Sequence, residues 1–581
     1  MYPQITVLDA GGQYCHLIAR KVRELGVYAD VASSETPAPA LTGRKGVIIS
    51  GGPSSVYDPG SATIDPALLS SGTPVFGICY GQQLMAHLLD GSVRRGDHGE
   101  YGLAKLEICA PDTIFRGLQG RQQVWMSHRD IVIKAPTGFE VLASTETCPI
   151  AAMASPERRL FAVQFHPEVA HTPSGRAILS NFVFDVCKCA RDWDPAGQLQ
   201  AVEDQIRRAA GGRKVFFFVS GGVDSTVAYT LCLRALGPEQ IHGTYVDTGL
   251  MREGETDFVR ATFDALGARS FEVVDARDRF LSALEGVTDP EDKRHIIGEK
   301  FVDVQERILE SEHFLDGNWI LGQGTIYPDT IESGGTAKAD RIKTHHNRVA
   351  GIQRLIDAGQ IVEPLASFYK DEVRSIGRQL SLPPEILDRH PFPGPGLAIR
   401  CLCTDSSGAP EQIEEGWILP VHSVGVQGDS RTYRPVLALE SFPESEEDAA
   451  RLVNRLVGIN RVVVAAGKHP PLGELRVRPA GLTRRRLDRL RRADAAVRRM
   501  CVEFDASVWQ FPIILIPLGM EERPDSVVLR PVQSVDGMTA NAIWMSPKKL
   551  EEVVAALESV EGVATVFYDI TNKPPATIEW E

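Results

Sequence analysis

Cys79 lies in VFGICYGQQLMA, residues 75 to 86, with Gly77 two places before it and Gly81 two places after. An apolar run ends at the cysteine and a helical pattern follows, so the spacing predicts a sharp strand-to-helix turn with the thiol at its apex. Side chains larger than hydrogen at Gly77 or Gly81 would crowd such a turn. A helix starting there aims its free amides and the positive end of its dipole at the sulfur, which favours the nucleophilic thiolate. FAVQFHPEV supplies a base: an apolar strand ends in His166, and Pro167 forces an extended turn that brings Glu168 round to orient the imidazole. A tetrahedral oxyanion would need backbone donors, which the amide of Tyr80 and the turn ISGGPSS (49 to 55), at Gly52, can provide. Buried inert cysteines are commoner than catalytic ones, so the assignment rests on the constellation and not on the thiol.

A second chemistry is written in VFFFVSGGVDST, residues 215 to 226. Two glycines after a buried strand let successive N–H groups converge on an anion, and Ser220, Ser225 and Thr226 add hydroxyls where a helix begins. The loop formed by Ser220, Gly221, Gly222, Val223, Asp224, Ser225 and Thr226 is therefore a phosphate cradle. It lacks the G-x-x-x-x-G-K-[ST] spacing of a Walker loop, which argues against ordinary γ-phosphoryl transfer.

These residues must be held by more than one core. A chain of 581 residues exceeds what a single hydrophobic core supports, and 43% hydrophobic with 24% charged residues is an ordinary globular balance. A net charge of −14 argues against a nucleic-acid partner, though not against a local anion pocket. The arginines of residues 476 to 500 fall at helical spacing and read as a solvated helix face. The ten cysteines show no zinc-ligand spacing, no apolar stretch reaches membrane-spanning length and no signal segment precedes QITVLD, so a reducing cytoplasm is expected.

Strand-like ITVLD, GVIIS, PVFGI and LFAVQF alternate with helical patterns over the first 190 residues, and KVFFFVS, IHGTYVD, RSFEVVD and NWILGQGT do so in a second series. Both predict α/β domains with mainly parallel sheets, separated by a linker near CARDWDPAGQ, residues 189 to 198. Past residue 400 an α+β region is expected, with a weak repeat: RTYRPVLALESF (431 to 442) resembles SVVLRPVQSVDG (526 to 537), and each precedes a helical segment and a second strand. Domains are drawn at 1–190, 196–395 and 400–581.

G-x-C-x-G-x-Q, from Gly77 to Gln83, with the downstream HPE resembles the class I, triad-type glutamine amidotransferases over nearly the first third of the chain. The resemblance implies that Cys79 attacks the glutamine side-chain amide and that Gln83, Ser127, His128 and Asp130 hold that substrate. SGGVDS after FFF resembles the loop of ATP pyrophosphatases. This implies adenylylation of a carbonyl oxygen, with the nucleotide against TYVDTGL, Lys370 on the departing pyrophosphate, and Mg²⁺ with Asp224 on its side of the site. Fused, the halves are similar to the GMP synthase family, as are GQGTIYPDTIES (322 to 333), RHPFPGPGLAIR (389 to 400) and KPPATIEWE (573 to 581). The substrates implied are glutamine, ATP and xanthosine monophosphate (XMP), the last contacted by Arg294, Arg431, Lys573, Ile578 and Glu579. The resemblance also sets up two oligomeric outcomes, a homodimer or a monomer whose two internal copies pair as a pseudo-dimer.

Overall fold

The computed structural model describes residues 2–581 apart from 112, 334–349, 428–429, 446–447, 449–450, 453–457, 502–507, 535–539 and 574, and without side chains at 96–99, 331–333, 350, 426–427 and 430–431. The chain forms two compact units, Met1–Gln198 and Leu199–Glu581.

In the first unit nine strands make one sheet: β1 (Ile5–Asp9), β2 (Ala29–Ser33), β3 (Gly46–Ile49), β4 (Val75–Ile78), β5 (Ser92–Ile108), β6 (Arg121–Lys134), β7 (Glu140–Ser144), β8 (Ala152–Ser155) and β9 (Leu160–Val163). Their order is β2-β1-β3-β4-β9-β8-β7-β5-β6. From β2 to β9 every neighbour pair is parallel; from β9 to β6 every pair is antiparallel. GVII, VFGI and LFAV are buried at every position, as central parallel strands covered on both faces require. The sheet is thus mixed where a mainly parallel one was expected. The antiparallel half is less apolar: β6 alternates exposed and buried residues, so it lacks the continuous runs that mark its neighbours.

The second unit begins with a parallel sheet of β10 (Lys214–Phe218), β11 (Ile241–Asp247), β12 (Phe271–Asp275), β13 (Trp319–Gly322) and β14 (Ile361–Val362), in the order β12-β11-β10-β13-β14. The chain order reverses between β10 and β13, and the crevice at the carboxyl ends of such a pair is where α/β sheets bind ligands.

Beyond it lie β15 (Glu411–Ile413), β16 (Gly416–Gln427), β17 (Ser430–Leu439), β18 (Arg461–Ala466), β19 (Arg476–Val477), β20 (Ile513–Ile516), β21 (Leu518–Gly519), β22 (Asp525–Leu529), β23 (Val532–Gln533), β24 (Asn541–Ala542) and β25 (Val563–Asp569). Seven of these form a sheet in the order β15-β16-β17-β18-β25-β22-β20. Reading outward from its centre, β18 and β25 are antiparallel, each is parallel to its next neighbour (β17, β22), and each of those is antiparallel to the next (β16, β20). This is a two-fold arrangement of β-hairpin plus crossover strand, so the duplication is present in the architecture. Its register differs from the sequence repeat: the first RPV lies within β17, whereas the second begins after β22 ends. The helix expected in the first copy falls largely outside the described residues, and its counterpart is Pro547–Glu558. One buried core runs from Phe216, Val246 and Leu321 of the parallel sheet to Leu437, Val464 and Tyr568 of the seven-stranded one.

Candidate active site

Cys79 joins β4 to the helix Tyr80–Leu88 with φ 54° and ψ −106°, a left-handed backbone that costs a non-glycine residue strain. The turn is as tight as its glycines imply. A Cβ on Gly77 would lie 2.6 Å from the carbonyl oxygen of Gly81, and one on Gly81 would lie 2.4 Å from that of Ile49. The Tyr80 amide, first in its helix, has no intrahelical acceptor. Gly52 ends the loop after β3, where a Cβ would meet the Ala10 oxygen at 2.6 Å. Beside it a Cβ on Gly51 would come within 3.2 Å of the His166 ring.

His166 follows β9, and its Nδ1 lies 2.7 Å from Glu168 Oε1. Cys79, His166 and Glu168 are all buried, at 5%, 4% and 1% exposure. Burial pushes the imidazole towards neutrality, but the Glu168 carboxylate and the Cys79 sulfur outweigh it and hold His166 well above its ordinary range. The Thr172 hydroxyl donates to the His166 carbonyl at 2.7 Å while the His166 amide donates to Trp125 on β6, so the base is pinned from both sides.

Strand β6 carries Ser127, His128 and Asp130 past the nucleophile. The sulfur lies 3.7 Å from the Ser127 carbonyl oxygen. The His128 ring is held between the Asp130 carbonyl, 3.1 Å from Nδ1, and Glu100, 3.2 Å from Nε2. The Asp130 carboxylate accepts from Ser55 of the ISGGPSS turn at 2.5 Å. Gln83 spends its amide hydrogens on the Asp130 carbonyl (2.8 Å) and on Gln164 (3.2 Å), so it braces β6 in addition to any contact with substrate.

In the second unit SGGVDS runs from β10 into the helix Val223–Leu236. Gly221 has φ +73°, and a Cβ there would meet Val259 at 2.4 Å. Ser220 Oγ accepts from the Gly222 amide at 3.2 Å and lies 3.1 Å from Ser225 Oγ; Thr226 donates back to the Gly222 carbonyl at 2.8 Å. After β13, Gly324 packs against this loop, where a Cβ would lie 2.9 Å from the Ser225 amide nitrogen. Lys370, first residue of the helix Lys370–Gln379, forms an ion pair with Asp224. The other Asp224 oxygen, Oδ1, is buried and has no hydrogen-bond donor among the described residues. A carboxylate oxygen without a donor is a hard ligand of the kind Mg²⁺ takes. Lys370 keeps 41% of its side chain exposed and Asp224 27%.

RHPFPGPGLAIR runs from this loop to the C-terminal tail. Arg389 pairs with Glu255 at 2.6 Å, reaches the Gly221 carbonyl at 3.4 Å and stacks on Phe258. Leu397 donates to Leu250, at the end of TYVDTGL, at 2.7 Å. Arg400 clasps Glu579 with two bonds of 2.9 and 2.6 Å, and Gln510 adds a third at 2.9 Å. Arg294 donates to the Glu581 backbone oxygen at 2.5 Å, and Arg530 to that of Ile578 at 3.0 Å. Lys573 pairs through its backbone with Ala540. The side chain of Arg431 lies outside the described residues.

Residues 6–186 match the family model for class-I glutamine amidotransferases, 198–294 that for NAD synthase, and 502–580 that for the GMP synthase C-terminal domain. A Leptospira interrogans protein named as a probable glutamine-hydrolysing GMP synthase is 40% identical, with 100% of both chains covered. The chain belongs to the GMP synthase family. A family member from Geobacillus kaustophilus is 39% identical over 99% of each chain, and one from Thermomicrobium roseum is 44% identical over 81% of this chain and 96% of its own.

Against this family frame the arginine-rich helix needs correction. Arg484–Met500 has a solvated face, with Arg484, Arg485, Arg492, Arg498 and Arg499 exposed, but its other face is not solvated: Arg486 and Arg489 are buried against Asp525, Arg491 donates to the carbonyls of Gly249 and Met251, and Arg252 lies 3.7 Å from the buried Asp494. Those partners are remote in sequence, so spacing alone could not reveal them. Gln164 and Arg389 lie in FAVQFHPEV and RHPFPGPGLAIR, motifs whose spacing alone assigns neither a role. For Gln164 a signal existed, since it stands two residues before His166 and extended chain points alternate residues the same way.

Proposed function

We infer that this GMP synthase family member couples glutamine hydrolysis to ATP-driven amination of XMP. The observation that carries the reading is Cys79, held at a positive φ between two obligatory glycines and against a buried His166–Glu168 pair, in the same chain as an SGGVDS cradle.

In the first unit the Cys79 thiolate attacks the side-chain carbonyl carbon of glutamine, and the amides of Tyr80 and Gly52 receive the oxyanion. His166 then passes a proton to the leaving nitrogen, and ammonia departs. Water, deprotonated by His166, cleaves the glutamyl thioester and restores the thiol. Glu168 keeps Nδ1 protonated, so Nε2 is the nitrogen that exchanges protons with sulfur and substrate.

In the second unit a purine carbonyl oxygen of XMP attacks the α-phosphorus of ATP and pyrophosphate leaves. The cradle amides and the serine hydroxyls bind its oxygens, and Lys370 exchanges Asp224 for the departing charge. Mg²⁺, held through Asp224, would neutralise further phosphate charge. Ammonia adds to the adenylylated carbon, AMP is expelled and GMP results. Arg294, Arg431 and Lys573 are the cations proposed for XMP, with Ile578 and Glu579 at its base.

This divides labour among 1–190, 196–395 and 400–581. Because β18 and β25 pair inside one chain, a monomer is the expected state; light scattering that returns an obligate dimer would count against it. Cytoplasmic residence fits ten cysteines with no disulfide scaffold. The function is tested by GMP formation from XMP, ATP, Mg²⁺ and glutamine, with deamido-NAD as the competing acceptor; pyrophosphate release driven by the latter alone would overturn it.

A further inference from the structure

Gln164 follows β9 directly, is fully buried, and stands two residues before the base. The two ends of a side-chain amide are nearly alike in shape, so their direction is set by their partners. Here the partners form a series that starts from an atom with no choice. The Asp130 carbonyl oxygen on β6 can only accept, so the Gln83 atom 2.8 Å away must be Nε2. That nitrogen also approaches Gln164 at 3.2 Å, and what meets its hydrogen must be Oε1. The remaining end of Gln164 is therefore Nε2, and it faces the Cys79 sulfur at 3.6 Å. The sulfur also lies 3.7 Å from the Ser127 carbonyl oxygen, which accepts from the thiol S–H but repels a thiolate. Cys79 thus has an acceptor that serves its neutral form and a donor that serves its anion.

We propose that Gln164 is a catalytic residue of glutamine hydrolysis, donating Nε2–H to the Cys79 sulfur in a direction dictated by Gln83 and the Asp130 carbonyl. The proposal rests on the glutaminase reading above. The donor acts whenever sulfur carries charge: before it attacks glutamine, and again as the leaving group when water cleaves the thioester. It adds to His166, which is protonated at both stages but delivers its proton to the departing nitrogen in the first and back to the sulfur only at the end of the second. The Gln83–Gln164 pair also ties the nucleophile to β6, so a shift of that strand would misdirect the donor. A hydrogen bond to a charged group is worth about tenfold or more in rate.

The test uses the full chain. Gln164→Met keeps a side chain of similar length without a donor, Gln164→Glu presents carboxylate oxygens to the sulfur, and Gln83→Met cuts the series one link back. Three quantities are read: alkylation of Cys79 by iodoacetamide, kcat and KM for glutamine, and GMP formation from ammonium chloride. The expected result is alkylation slowed about tenfold in Gln164→Met, kcat for glutamine reduced in step and KM nearly unchanged. Gln164→Glu should be slower still and Gln83→Met intermediate in alkylation, the one readout taken from it because its contact with glutamine would also move KM; synthesis from ammonium should stay at the wild-type rate in both Gln164 variants. Wild-type alkylation in Gln164→Met would overturn the proposal, as would a rise in KM alone. A parallel loss of ammonium-supported synthesis would also overturn it, because it would mark a packing role. If wild type itself makes GMP from ammonium but not from glutamine, it is the glutaminase reading that fails.

Discussion

The two proposed reaction centres are built on opposite plans. Around Cys79 every reacting side chain is buried and already oriented by another protein group: Glu168 aims His166, Thr172 and Trp125 fix its backbone, and Gly77 and Gly81 lock the turn. Around SGGVDS the charged groups pair with one another, Lys370 with Asp224 and Arg389 with Glu255; Lys370, Asp224 and Arg389 are part-exposed, and one Asp224 oxygen has no donor among the described residues. The first plan suits chemistry in which the protein supplies the nucleophile, the base and the oxyanion donors, because preorganisation lowers the barrier directly. The second suits a site whose ligands bring their own charge, since binding can then exchange one partner for another at small net cost. Geometry should therefore govern the first centre and charge the second.

The largest effect expected is at the base. His166→Ala should reduce glutamine-supported GMP formation about 10³-fold or more, in line with losing both a general base and an ion-pair partner, with ammonium-supported synthesis unchanged. Equal losses with both nitrogen sources would break the separation of the two centres. Next comes Lys370→Ala, expected to slow XMP-dependent pyrophosphate release about 10²-fold while leaving iodoacetamide labelling of Cys79 intact. Lys370→Arg, which keeps the charge but alters its shape, should recover part of that loss. A Lys370→Arg variant no better than alanine would mean that geometry rules this centre too.

Glu168→Gln sharpens the comparison through pH. The folded His166 holds its proton above the value of about 6.5 expected in the unfolded chain, so the folded state binds more protons between those limits. The associated stability is complete below about pH 6.5 and is lost as pH rises through the folded value. Removing the Glu168 charge should flatten that decline in thermal melts as pH rises above about 6.5. An unchanged slope would show that the carboxylate does not set the imidazole.

The smallest effect tests the turn. Gly81→Ala drives a Cβ towards the Ile49 backbone and should cost about 1–3 kcal/mol, whereas Gly481→Ala, with nothing within 4 Å and no positive φ, should cost less than about 1 kcal/mol. Denaturant midpoints for the two variants would decide it, and equal costs would mean that the elbow relaxes.

How much of this was legible depended on how local each signal was. The elbow could be read because its glycines stand beside the thiol, and β3, β4 and β9 because buried parallel strands leave unbroken apolar runs. Hairpin β5–β6 alternates polar and apolar residues, so Ser127, His128 and Asp130 were reached through family resemblance alone. The buried arginines were misread because Asp525 lies 36 residues from Arg489 and 39 from Arg486. The duplicated sheet was anticipated, but RPV misled its register: identical tripeptides were matched where the strands themselves pair differently. Gln164 escaped notice because a buried amide gains meaning only from the atoms that orient it.

The claim on which the account turns is that Cys79 supplies nitrogen to a separate ATP-consuming centre in the same chain. GMP formation by Cys79→Ala, with glutamine and then with ammonium chloride at saturating XMP, ATP and Mg²⁺, tests it most directly. The account predicts no product above background with glutamine and the wild-type rate with ammonium. Glutamine-supported synthesis by Cys79→Ala, or a wild-type chain that yields no GMP from either source, would contradict it.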